Sequence, residues 1–165
     1  QNAEKLGIDP RKIVAGGGSA GGHISLLATT NPGLNDPEDT KKYDTTVAAY
    51  LLFNPALSVA DSKDSEVDFL QHLKDDLSPA IVFFGSKDRW LKNGWKAVSA
   101  KLASLKIADS VDVRIAEGQD HGFFNKQPWS DVTLIEADRF LKTLGFLKGV
   151  PTLIMPKTGE KLEKR

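Results

Sequence analysis

The sequence contains no cysteine. Disulfides, thiol nucleophiles and cysteine-ligated zinc are therefore excluded. An excess of charge is missing as well, since 22 Lys and Arg balance 22 Asp and Glu. That balance argues against nucleic acid as a partner, which calls for a basic stripe, and against a solvating acidic tail. Long apolar runs are absent too. The longest, Val47 to Phe53, is far too short to span a bilayer. Histidine is scarce: only His23, His72 and His121 can supply an imidazole base. The missing cysteines do not identify a compartment. No signal peptide opens the chain, because Gln1-Asn2-Ala3-Glu4-Lys5 is polar and reads as the end of a helix. The chain is expected to start inside a larger protein, which leaves localisation open.

What is present suits one globular domain. The 165 residues are 40% hydrophobic and 27% charged, enough to hold a core. Gly7 follows a short helical stretch as a C-terminal stop, and Asp9-Pro10 signals a turn. Ile13-Val14-Ala15 is a short apolar run of the kind seen in buried parallel strands. Ala20 to Thr29 reads as a helix with Ile24, Leu27 and Ala28 on one side, and residues 31–43 as loop. Strands are expected at 47–53, 80–84 and 111–115. A short helix is expected around 65–74, in a polar stretch over 58–79. Trp95, Val98, Leu102 and Leu105 recur at helical spacing, so 92–106 is an amphipathic helix. A last helix covers 130–144, with Ile135, Leu141 and Leu144 among its buried candidates. The expected domain spans 1–148, and 149–165 is an irregular or disordered tail. Alternating strands and helices argue for an α/β fold: a mostly parallel sheet flanked by helices in three layers. In such sheets functional groups gather at the carboxyl ends of the strands.

One motif carries chemistry. Gly17-Gly18-Ser19-Ala20-Gly21 matches G-x-S-x-G, with a short strand before it and a helix after it. The serine of this motif sits on a tight strand-to-helix turn, so its hydroxyl projects from the sheet. Gly17 and Gly21, two residues either side of Ser19, remove side chains from that turn. The helix N-terminus favours a developing oxyanion, and the Ala20 N–H is the expected donor. Three other readings compete. A Gly-rich turn can cradle a phosphate, but no Gly-Lys-Ser/Thr is present. Gly16, Gly18 and Gly21 match the spacing of the dinucleotide fingerprint. That fingerprint needs an acid about 20 residues on, at the end of the next strand. Asp36, Glu38 and Asp39 instead fall in a loop before that strand. The third reading is a Gly-rich turn with no chemistry.

A nucleophilic serine needs a base and an orienting acid. His23 lies in the helix that starts at Ser19 and cannot easily reach back to it; packing or outer support of the site is expected. His72 sits in a polar helix and reads as a surface residue. His121 follows the fourth strand, in Gly118-Gln119-Asp120-His121-Gly122, where glycines let a loop fold over a site. It is the expected base, weighed against an exposed loop histidine. Asp88 follows the third strand in Gly85-Ser86-Lys87-Asp88 and keeps the chain order Ser, Asp, His. It is the expected acid, weighed against a solvated loop carboxylate. Asp120 adjoins His121, and adjacent side chains usually diverge. Asp109 and Asp112 lie at or before the wrong end of the fourth strand.

Gly7-Ile8-Asp9-Pro10-Arg11-Lys12-Ile13, running into Gly17-Gly18-Ser19-Ala20-Gly21-Gly22-His23, resembles the alpha/beta-hydrolase superfamily. Gly85-Ser86-Lys87-Asp88 is similar to its acid loop and Asp120-His121-Gly122-Phe123 to its histidine loop. The likeness spans roughly residues 1–148 and lies with the esterase/lipase branch. That branch includes acetyl-xylan and feruloyl esterase-like proteins and the related hormone-sensitive-lipase-like carboxylesterases. The latter often have Asp directly before the serine, where this chain has Gly18. The resemblance implies that this is the C-terminal part of a larger, mostly parallel sheet. It also implies an upstream His-Gly-Gly-Gly-like loop that completes the oxyanion hole. The implied activity is hydrolysis of small acyl esters, such as acetyl groups on carbohydrate, without metal or organic cofactor. A prolyl-oligopeptidase-type peptidase and a catalytically incomplete fragment are the alternatives. A half-sheet would expose its first strand, so self-association or pairing with an N-terminal half is expected.

Overall fold

A computed structural model describes residues 2–38 and 44–165. Gln1 and the 39–43 part of the expected loop, including Asp39, lie outside the described residues. Strand β1 (Val14–Gly18) leads into helix α2 (Ala20–Thr30), after a first short helix, α1 (Ala3–Leu6). Then come β2 (Ala49–Phe53), α3 (Phe69–His72), β3 (Ala80–Gly85), α4 (Arg89–Lys92) and α5 (Gly94–Ser104). The chain closes with β4 (Val111–Ala116), α6 (Trp129–Thr143) and β5 (Leu162–Lys164). The sheet order is β1-β2-β3-β4-β5, parallel except for the antiparallel β4–β5 pair.

Alternation along the strands sorts the core into two layers. Tyr50, Leu52, Ala80, Val82, Phe84 and Ile115 face Leu26 and Leu27 of α2 and Trp95, Val98 and Leu102 of α5. On the opposite face, Ile81, Phe83 and Ala116 pack against Trp129, Val132 and Ala137 of α6. β3 is buried along its whole length, as expected of a central parallel strand covered on both faces. The result is the three-layer α/β architecture expected from the alternation of elements.

Register places the site. Gly18 lies opposite Phe53, Phe53 opposite Phe83, and Gly85 opposite Ala116. The carboxyl ends of β1 to β4 therefore come out on one edge of the sheet. The chain leaving each of these strands is thereby delivered to the same place.

Several boundaries and faces differ from the sequence reading. β1 continues through all three glycines to Gly18, because their backbones pair with β2 although they add no side chain to the core. The buried side of α2 holds Gly22, Leu26 and Leu27. Ile24 points outward and is 63% exposed, and Ala28 is exposed as well. A separate short helix, Arg89–Lys92, ends at Asn93 (φ −96°, ψ −97°), and the helix expected at 92–106 follows it as Gly94–Ser104, with Trp95, Val98 and Leu102 buried. Asp88 caps the first by accepting from the Trp90 N–H. The second begins where Gly94 meets the backbone of Leu57. In α6, Ile135 is buried, while Leu141 and Leu144 are half-buried. The segment 149–165 is not wholly irregular, because Leu162–Lys164 pairs with Ala116, Ile115 and Arg114 of β4. Lys164 also lies 3.9 Å from Asp112, which itself pairs with Arg114 at 2.8 Å. β1 occupies the outer edge of the sheet, and Leu6, Ile8 and Ile13 in the chain before it are exposed. Among the described residues no helix is long and apolar enough to cross a membrane.

Gly94 allows a test of this packing. A Cβ there would stand 2.1 Å from the Leu57 carbonyl oxygen and 2.7 Å from the Ser58 nitrogen. Ala would gain up to about 1 kcal/mol of helix propensity over Gly. Overpacking against rigid backbone costs roughly 1–3 kcal/mol, so the clash wins. Gly94→Ala is expected to lower the unfolding free energy in a urea titration. An unchanged or raised midpoint would show that the α5 start is free to move.

Candidate active site

Ser19 joins β1 to α2 with φ 55° and ψ −121°. A non-glycine residue at positive φ is uncommon and strained. Backbone bonds hold it there: its N–H donates to Phe53 O at 2.9 Å, and its carbonyl accepts from Gly22 N and Ala56 N. Serine at a helix start usually turns its hydroxyl back to cap the helix. Here Ser19 makes no such cap, and its Oγ lies 2.8 Å from His121 Nε2.

The glycines around Ser19 have separable reasons. A Cβ on Gly17 would lie 2.7 Å from the Gly21 carbonyl carbon. Gly21 itself has open space, and the tight position inside the helix is Gly22, against Gly17 O and Pro55. The expectation that Gly21 avoids a clash of its own is thus corrected. What matters at Gly21 is the backbone that Gly17 packs against. A Cβ on Gly18 would meet the Phe124 ring at 2.5 Å. That contact leaves no room for a side chain at this position. Ala20 is the first residue of α2, so its N–H has no intrahelical acceptor.

His121 bridges the other two groups. Its Nδ1 is 2.9 Å from Asp88 Oδ2. A carboxylate accepts, so Nδ1 carries the hydrogen; Nε2 of the neutral ring then accepts from the Ser19 hydroxyl. Asp88 is 1% exposed. Its Oδ1 accepts from Trp90 N at 2.9 Å, and its Oδ2 also accepts from Asn54 Nδ2. Burying a carboxylate costs several kcal/mol. Hydrogen bonds to a charged group return about 1.5–3 kcal/mol each, so three donors offset that cost.

The two loops are fixed to each other. Ser86 Oγ donates to Glu117 at 2.9 Å and accepts from Gly118 N at 2.8 Å. Lys87 N donates to Gln119 O at 2.9 Å. Gly118 (φ 74°) and Gly122 (φ 79°) both adopt left-handed backbone, as the fold-over of the histidine loop requires. Behind His121, Phe124 packs 5.2 Å from Phe53, and Phe123 stands edge-on to Trp129.

The competing residues lie elsewhere. His23 Nε2 contacts Val67 O at 2.8 Å and so ties α2 to the polar 58–79 segment. His72 is half-buried and contacts Ser65 O at 2.7 Å. Asp120 is exposed, and Asp112 pairs with Arg114. Among the described residues no group of His, Asp and Glu could hold a metal ion. Asn54 was the residue missed. In the sequence it reads only as the end of β2 before Pro55. A polar residue at a strand's carboxyl end was the available signal.

No family model matches the sequence, and no curated protein matches it. Solved structures do. The chain is similar to a thermophilic esterase of the Planctomycetes species Thermogutta terrifontis, solved with propionate bound. Identity is 31% with a TM-score of 0.75, covering 92% of this chain and 62% of that one. The same organism's esterase 2 phosphorylated by paraoxon is 32% identical with a TM-score of 0.76, covering 90% of this chain and 60% of that one. The butyrate-bound esterase is 32% identical with a TM-score of 0.75, covering 90% and 63%. The chain thus spans about three-fifths of the length of these esterases. Over some nine-tenths of its own length it shares their fold.

Proposed function

We propose that these residues belong to a serine ester hydrolase of the alpha/beta-hydrolase type, with Ser19 as nucleophile, His121 as base and Asp88 as the orienting acid. The observation that carries this reading is the unbroken run from Ser19 Oγ to His121 at 2.8 Å and from His121 to Asp88 at 2.9 Å. It connects three residues that the sequence places 69 and 33 positions apart on separate loops. Both distances lie within the reach required for proton transfer.

In the proposed reaction His121 Nε2 takes the Ser19 proton as Oγ attacks the ester carbonyl. The Ala20 N–H faces the oxyanion that forms, aided by the positive end of α2. Asp88 holds the ring in the tautomer that leaves Nε2 free, and its charge stabilises the imidazolium. His121 then protonates the departing alkoxide. Water, activated by the same imidazole, hydrolyses the acyl-enzyme and restores Ser19. These steps use no metal or organic cofactor.

Small acyl groups are the proposed substrates. The Thermogutta esterase has been solved with propionate and with butyrate, and its modification by paraoxon is chemistry expected of an activated serine. The Phe124 ring against Gly18 also fills space beside Ser19. Acetyl groups on carbohydrate are the proposed natural class.

Assays with aryl acetate, butyrate and laurate test this directly. The protein is expected to turn over the two short esters fastest. Ser19→Ala is expected to lower kcat by on the order of 10⁴-fold or more. Turnover unchanged in folded Ser19→Ala would refute the assignment, and cleavage of prolyl peptides alone would favour the peptidase.

Gly18 offers a milder test. Gly18→Ala forces the Phe124 ring away, and Phe124 lies three residues beyond His121 in the same loop. We expect kcat to fall about 10-fold or more, since small misplacements cost that much, with KM less affected. Wild-type kcat would show that Phe124 does not support the base.

A further inference from the structure

Asn54 is buried completely and carries two unfavourable features at once. Its backbone is in the left-handed region (φ 49°), and its side-chain Oδ1 is buried with no hydrogen-bond partner among the described residues. A buried unpartnered acceptor is costly, and such groups in folded proteins call for a reason. Asn tolerates left-handed backbone better than most residues, but that alone does not explain a buried amide.

The other half of the amide supplies the reason. Nδ2 donates to Asp88 Oδ2, the same oxygen that accepts from His121 Nδ1. The opposite amide orientation would aim Oδ1 at a carboxylate, so the neighbour fixes which end faces it. The Asn54 backbone is itself anchored, donating to Phe83 O at 2.7 Å. Its neighbours in sequence hold the other end of the site: Phe53 O accepts from Ser19 N, and Ala56 N donates to Ser19 O at 3.0 Å. Phe53, Asn54 and Ala56, at the end of β2 and just beyond it, therefore hold the backbone of Ser19 and the carboxylate of Asp88.

Resting on the reading of Ser19, His121 and Asp88 as a triad, we propose that Asn54 is a positioning residue. It pins Asp88 Oδ2 in the plane that His121 Nδ1–H requires, and through the 53–56 segment it couples that alignment to the strained turn at Ser19. It touches no substrate and takes no proton. Its effect is on the orientation of the ring, and hence on the fraction of molecules with Nε2 aimed at Oγ. The unpartnered Oδ1 is the structural cost of keeping Nδ2 in place.

Three substitutions separate this role from simple packing. Asn54→Gly accepts the left-handed backbone and removes the amide. Asn54→Ala removes the amide and adds backbone strain. Asn54→Asp keeps the shape and sets a carboxylate against Asp88. Two readouts are needed: kinetics on a short aryl ester, and the low-field proton NMR signal of the His121 Nδ1–H, which requires no turnover. For Asn54→Gly we expect kcat lower by roughly 10- to 100-fold, with KM nearly unchanged and the low-field signal shifted or broadened. For Asn54→Asp we expect the acid limb of the kcat/KM profile to move to higher pH. The added negative charge favours the protonated imidazole. Wild-type kcat and an unchanged low-field signal in folded Asn54→Gly would overturn the proposal, whatever the change in thermal midpoint. So would an unmoved pH profile in Asn54→Asp, which carries the test should Asn54→Gly fail to fold. If the triad reading itself is wrong, Ser19→Ala retains the activity of the parent, while the NMR signal still reports whether Asn54 orders the ring.

Discussion

The geometry depends first on the backbone of Ser19. Holding a serine at positive φ costs on the order of 1–3 kcal/mol, and the surroundings must overdetermine it. They do so through the β2 exit, which binds Ser19 N and O from Phe53 and Ala56. The approach of Gly17 to Gly21, closed to any side chain, completes the turn. Relaxing Ser19 into ordinary helix-cap geometry would turn its hydroxyl toward the helix and away from His121. The elbow is thus a constraint imposed by β1, α2 and β2 together.

Electrostatics then depends on the central strand. β3 is the most thoroughly buried element, so its carboxyl end delivers Asp88 to a place with little water. Three donors make that burial tolerable: Trp90 N, Asn54 Nδ2 and His121 Nδ1. One caps a helix, one ends a strand and one belongs to the proposed base. The carboxylate therefore organises α4, β2 and the histidine loop at once. The pairing of the 86–87 and 117–119 segments keeps that loop from drifting.

The parts legible in the sequence are those governed by local chemistry. G-x-S-x-G, an acid after the third strand and a histidine after the fourth located three side chains that the structure places in contact. Strands rich in β-branched and aromatic residues were placed within a residue or two. Elements governed by long-range contact were not legible. The glycines of β1 have poor strand propensity and are held by β2. Periodicity places the helix over 94–104, but not the separate short helix Arg89–Lys92 before it, whose start depends on the Asp88 carboxylate. Ile24 looked like a core residue because the helix pattern does not say which face is covered. β5 is three residues in a polar, charged tail, whose pairing comes from β4. Asn54 carries no motif; its meaning arises only once Asp88 is beside it.

On the proposed mechanism Ser19 is an activated nucleophile. Peptide mapping by mass spectrometry after exposure of the folded protein to a fluorophosphonate tests it most directly. A single adduct is expected on the peptide containing Ser19, lost in His121→Ala. An adduct on another serine, or labelling of Ser19 that survives removal of His121 undiminished, would contradict it.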